Sequence, residues 1–127
     1  MDAVRELVQR SKEQVIGFRR DLHRIPETGF KEVKTSAYVA EKLSRLNLDV
    51  QTGIATHGVV GLLRSATPGP TLMIRADMDA LPIAEATGLA FASTHPGCMH
   101  ACGHDSHMAM ALGAASVLSA LKERFKG

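Results

Sequence analysis

The sequence predicts an α/β fold, with helices packed on a sheet in the order ααβββα. Three observations predict it: two apolar stripes of helical period open the chain, three short extended segments follow, and a third helical stripe comes last. The 127 residues suit one domain or part of one, and 45% of them are apolar, enough for a packed core.

Residues 2–25 read as an amphipathic helix. Val4, Leu7, Val8, Val15, Phe18, Leu22 and Ile25 share one face, and the opposite face is charged. Pro26 disfavours helical geometry at Ile25 and ends it, and "PETGF" turns the chain. A second helix is expected over 31–46, burying Val33, Ala37, Ala40, Leu43 and Leu46. Asn47 tolerates the left-handed conformation that closes a helix, and Leu48 folds back onto the last turn.

The pattern then changes. "DVQTGI" alternates Val50, Thr52 and Ile54 with polar or small residues, as a strand does. "GVVGLLR" (58–64) and "TLMIRA" (71–76) are short, nearly continuous apolar runs, expected to be buried strands paired as a hairpin across "SATPGP". Residues 84–96 have a loop composition. The last helix is expected over 106–125, with Leu112, Ala115, Leu118 and Leu121 on its stripe. Asp105 is expected as its N-cap, and Lys122, Arg124 and Lys126 lie at the end that favours positive charge.

The bulk charge narrows the function. Fifteen basic and 13 acidic side chains give a net charge of +2, and no basic run is present to track a phosphate backbone. Aromatic residues are 4% of the chain and Trp is absent, which argues against base stacking and so against a nucleic-acid partner. No segment reaches the roughly 18 apolar residues that cross a bilayer. The charged N-terminus lacks the apolar centre of a secretory signal, so a cytoplasmic location is expected.

The stretch "GCMHACGHDSH" (97–107) concentrates His100, His104 and His107 with Cys98, Cys102 and Asp105. Thiolate, imidazole and carboxylate groups hold transition metals. Extended backbone turns Cys102 and His104, two residues apart, to the same side, and Gly103 lets the chain bend between them. Asp77 and Asp79 follow an apolar run, at the strand end where ligands collect in α/β sheets. Simpler readings stand beside these. Arg75 and Asp77 also make sense as a surface ion pair worth under ~1 kcal/mol. Cys102 and His104 also make sense as a thiol nucleophile and its base, and Cys98 as half of a C-x3-C pair. His23 and His57 read as surface or helix-end residues, His95 as solvated, and the methionines as core filler.

"RADMDALPI" followed by "GCMHACGHDSHMAMALGAA" resembles the aminoacylase and carboxypeptidase family of co-catalytic metallopeptidases. More narrowly, it resembles the amidohydrolase branch that includes hippurate hydrolase and indole-acetyl-amino-acid hydrolase. "DLHRIPETGFKEVKTSAYV" (21–39) matches the N-terminal signature of that branch. The resemblance implies the N-terminal part of a mixed-sheet, zinc-peptidase-like catalytic domain. It implies two divalent ions, zinc or manganese and sometimes nickel or cobalt, sharing a water that attacks an amide carbonyl, with a glutamate as base. It makes Cys102 and His104 metal ligands and Asp79 the supporting acid beside the catalytic site, which orients a ligand by hydrogen bonding. It carries no ligand role onto Asp77, His100, Asp105 or His107. The implied substrate is an N-acyl amino acid. In the family the base glutamate, further ligands and a dimer-forming lid domain all follow the last helix. Residues 1–127 are therefore expected to be a partial catalytic domain without its lid, in a protein that is a homodimer when whole. A non-catalytic metal-binding or interaction module is the competing expectation.

Overall fold

The computed structural model describes residues 2–127. The fold is α/β as expected, with three helices and one small antiparallel sheet among the described residues. Helix α1 spans Asp2–Arg24 and stops just before Ile25–Pro26, where the ring of Pro26 opposes helical geometry. Its second half packs: Phe18, Leu22 and His23 are buried, while Val4 and Val8 near its start stay about half exposed.

Helix α2 spans Val33–Arg45; Ala40, Leu43 and Leu46 of its expected face are partly buried, but its first turns are rotated from that face. Thr35 and Ser36 are buried and Val33 and Ala37 are exposed. Glu27 explains the rotation. Its carboxylate accepts the backbone N–H groups of Lys34 and Thr35 at 3.1 and 2.9 Å and the Thr35 hydroxyl at 2.9 Å. It thus caps the helix from six residues upstream, binding donors that the first turn leaves free. Asn47 does take the left-handed conformation (φ 58°), and its N–H bonds the Ser44 carbonyl.

Strands β1 (Asp49–Ile54) and β2 (Gly58–Leu62) pair antiparallel in the register Asp49↔Leu62, with a bulge between Gln51 and Ile54. The hairpin is therefore β1–β2, and the expected pairing of 58–64 with 71–76 does not form. The backbone after β2 is engaged elsewhere: Ser65 N–H bonds Gly127 O, and Gly127 N–H bonds Thr67 O. Pro68 and Pro70 lack the N–H groups a ladder needs. Residues 71–76 run without a ladder partner among the described residues, and Leu72 and Met73 are more than 80% exposed. A continuous apolar run of this kind suits a strand covered on both faces.

Helix α3 spans His104–Ala120, and a single 3-10 turn, Lys122–Arg124, follows it. It starts two residues before the expected position and ends earlier. The core lies where α3 crosses α1: Phe18, Ala109 and Leu112, flanked by Val15, Tyr38, Val39 and Leu43. Gly113 permits the close approach, since a Cβ there would lie 2.7 Å from Val15 Cγ2. Each large apolar side chain buried in this way contributes on the order of 1.5–3 kcal/mol. Met108 fills core space as expected, whereas Met73 and Met110 are exposed.

Two isolated bridges bring the remaining segments to one place. Ala80 N–H bonds Glu27 O at 2.8 Å, and Leu81 and Met99 exchange a pair of backbone hydrogen bonds. The Asp77–Asp79 segment is thereby held between the turn after α1 and the loop that leads into α3.

Candidate metal centre

The geometry gathers around Asp79. His104 Nδ1 lies 2.9 Å from the Asp79 main-chain carbonyl and 3.0 Å from its Oδ1. Both are acceptors, so Nδ1 carries a hydrogen, and in the neutral ring Nε2 then keeps its lone pair. The Cys102 thiol contacts the same carbonyl oxygen at 3.7 Å. The two residues separated by Gly103 therefore meet on one atom. Gly103 makes this bend in the left-handed region (φ 89°), where a side chain would be strained.

Asp77 lies on the other side of His104. Its Oδ2 is 4.0 Å from His104 Nε2, while its Oδ1 pairs with the exposed Arg75. The Arg75 ion pair thus exists alongside the contact with His104. His107, one turn along α3, stacks its ring 5.4 Å from that of His104. One ligand atom from each of Asp77, His104 and His107 falls within 4.8 Å of the others, a spacing a single cation spans. Imidazole and carboxylate form a donor set that suits a divalent transition ion, and the Cys102 thiol, turned to the Asp79 carbonyl, is not one of the three groups. Asp77 and His107 are the residues that sequence spacing left unassigned. The signal available was His107 at i+3 from His104 on a helix.

The other candidates fall elsewhere. Cys98 is partly buried, which pushes its thiol up from the ordinary value and away from the thiolate that binds metal. His57 lies in the β1–β2 turn. His95 is half-buried rather than solvated. Its Nδ1 bonds Pro26 O at 2.7 Å, and its Nε2 faces Lys34 Nζ at 3.1 Å. His100 is buried with neither ring nitrogen partnered among the described residues, and burial pushes it down to about 4, so the ring is neutral at pH 7.

Asp105 and His23 depart furthest from expectation. Asp105 is not the N-cap: Gly103 occupies that position without a side-chain cap, and Asp105 lies fully buried in the first turn. Its Oδ2 accepts Arg19 Nε at 2.9 Å and faces His23 Nδ1 at 2.7 Å. His23 is at a helix end, as expected, but is only 1% exposed. Its Nε2 lies 3.2 Å from Glu85 Oε1. The Thr87 hydroxyl, the Ser93 N–H and His23 together hold the Glu85 carboxyl below the usual carboxylate range. The sequence signal for this network was Arg19 and His23 at i, i+4, bordering the Val15–Phe18–Leu22 stripe.

Residues 73–127 match the family model for peptidase family M20/M25/M40. By sequence and by fold the chain is similar to M20 peptidases. It is 45% identical over its whole length to thermostable carboxypeptidase 1 of Saccharolobus solfataricus, covering 33% of that protein. It is 52% identical over 79% of its length to N-acetyldiaminopimelate deacetylase of Listeria monocytogenes, covering 27% of it. The crystal structure of Bacillus subtilis YxeP, a dinuclear metal-binding peptidase of the M20 family, superposes with a TM-score of 0.85 at 39% identity. That match covers 97% of this chain and 34% of YxeP. A crystal structure of a methicillin-resistant Staphylococcus aureus protein gives a TM-score of 0.95 at 43% identity, covering 99% of this chain and 34% of that one. The chain thus spans about a third or less of the length of these relatives. Among the described residues no helix is long and apolar enough to cross a membrane.

Proposed function

We propose that residues 1–127 are the metal-holding first part of the catalytic domain of an M20 hydrolase. In this reading the intact protein cleaves the amide bond of N-acyl amino acids or related compounds, within the branch of hippurate and indole-acetyl-amino-acid hydrolases. The observation that carries the reading is His104: its Nδ1 is committed to Asp79, and its Nε2 is left beside Asp77 and His107. A carboxylate holding the far nitrogen of a metal-binding imidazole fixes the tautomer and raises the basicity of the free one.

Cys102 and His104 are the ligands in this reading, and Asp79 is the acid that orients His104. Asp77 adds negative charge at the rim. Divalent ions bound there would polarise an amide carbonyl and acidify a water. A thiolate and an imidazole favour zinc, and the neighbouring carboxylates suit manganese, with nickel or cobalt further options. The glutamate base and the lid through which a homodimer forms lie beyond residues 1–127, and the enzyme works in the cytoplasm. The similarity to an N-acetyldiaminopimelate deacetylase and to a carboxypeptidase supports the substrate class.

The test is hydrolysis of a panel of N-acyl amino acids by the intact protein, loaded in parallel with zinc and with manganese. Metal-dependent release of the amino acid, abolished by chelation and by His104→Ala, is the expected result. Metal binding without turnover of any N-acyl amino acid would leave the binding-module reading in its place.

A further inference from the structure

His104 and Asp105 are consecutive residues in the first turn of α3, and they serve different neighbours. His104 bonds Asp79 on the open side. Asp105, fully buried, is clamped on the inner side by Arg19 and His23 of α1. Consecutive helical positions are about 100° apart around the axis. A helix whose position 105 is fixed in rotation therefore has its position 104 fixed as well. The other restraints at this end of α3 are the Asp79 contacts of His104 and the Ser106 N–H, which the Asp105 carboxylate accepts at 2.9 Å. Gly103 contributes no side chain to a cap, and it joins the helix through a left-handed residue. The clamp itself is braced, since His23 also meets Glu85, and Glu85 accepts the Ser93 N–H at 2.6 Å. Charge-assisted contacts to a buried carboxylate are short and directional.

We propose that Asp105, with Arg19 and His23, is a positioning residue that sets the angle at which His104 and Cys102 present their donor atoms to a cation. The proposal rests on the metal reading above. Asp105 touches no substrate or ion and acts only through the rotation and seating of α3. Ligand constellations need placement within about 0.5 Å, and a helix free to rock would not supply it.

Cobalt(II) is the probe, because its visible bands report ligand geometry and a thiolate ligand adds a charge-transfer band. Affinity, spectrum and thermal melting are measured on the intact protein as wild type, Asp105→Asn, Arg19→Gln, Arg19→Lys, Cys102→Ser and Leu112→Ala. Leu112→Ala is a core change that lowers stability without touching the clamp. Asp105→Asn and Arg19→Gln should weaken cobalt binding about tenfold, at the lower end of what outer partners of metal ligands contribute, and shift the bands. Arg19→Lys, which keeps the charge, should recover most of the affinity, and Leu112→Ala should leave the spectrum alone. If Asp105→Asn does not fold, Arg19→Gln at a partly exposed position carries the test. Wild-type affinity and bands in folded Asp105→Asn or Arg19→Gln would overturn the proposal, as would an equal shift in Leu112→Ala. Equal cobalt binding in wild type and Cys102→Ser, with no thiolate band in either, would instead overturn the metal reading and this proposal with it.

Discussion

Asp79 takes the Nδ1 hydrogen of His104 with two acceptors, its main-chain carbonyl at 2.9 Å and its carboxylate at 3.0 Å. The double contact decides how much a substitution removes. Asp79→Ala deletes the carboxylate but keeps the carbonyl, so the tautomer survives and the ring loses one of its two restraints. Loss of an outer partner of a metal-binding histidine weakens metal binding about 10–100-fold, and the surviving carbonyl places Asp79→Ala near the lower figure. Asp79→Asn keeps an acceptor at the same place and should lose less. Zinc affinity by chelator competition checks the order wild type, Asn, Ala. Equal affinity for all three would show that the carboxylate does not support His104.

The helices were legible in the sequence because their signals are local. Apolar period, Pro26 and Asn47 each act within a turn of the chain, and α1 and α2 end within a residue or two of where those residues place them. The third strand was not legible, because a strand depends on its partners. "TLMIRA" has the composition of a buried strand, yet its expected partner pairs with β1 instead, and Ser65 and Thr67 of the connection bond Gly127. The site divides in the same way. The Cys102–Gly103–His104 bend could be read from spacing, since its members are neighbours, and the acids at 77 and 79 from their place after an apolar run, although their partner His104 lies more than 20 positions on. The partnership of Asp105 with Arg19 and His23 spans more than 80 positions, and no local pattern announces it. A capping role for Asp105 was the best local reading, and burial against two basic side chains of another helix overrode it.

Gly113 and Val15 set the distance between α1 and α3. An alanine Cβ at 113 would lie 2.7 Å from Val15 Cγ2, and a β-branched side chain in a helix has little freedom to turn aside. Alanine gains about 1 kcal/mol over glycine within a helix. Overpacking a close contact costs about 1–3 kcal/mol. The second effect wins, so Gly113→Ala should destabilise the protein by about 1 kcal/mol, read as a lower denaturant midpoint. Val15→Ala opens the space, and adding Gly113→Ala to that background should no longer destabilise. A single Gly113→Ala variant more stable than wild type would show that the helices are further apart than described.

Glu85 should make stability depend on acid. Its carboxyl is held below its ordinary value of 4.5, first by the Thr87 hydroxyl, then by the Ser93 N–H, with His23 adding to both. A carboxylate whose native value is depressed binds protons more readily when unfolded, so folding is favoured as pH rises. The contribution is fully present above about 4.5 and is lost as pH falls through the lower native value. Glu85→Gln cannot ionise and lacks this component. The variant should therefore be less stable than wild type at neutral pH, and the gap should narrow as the solution is acidified below the ordinary carboxylate value. Denaturant midpoints of both proteins across that range give the measurement. A gap that stays constant, or widens, on acidification would show that Glu85 is not the ionised partner of Thr87, Ser93 and His23.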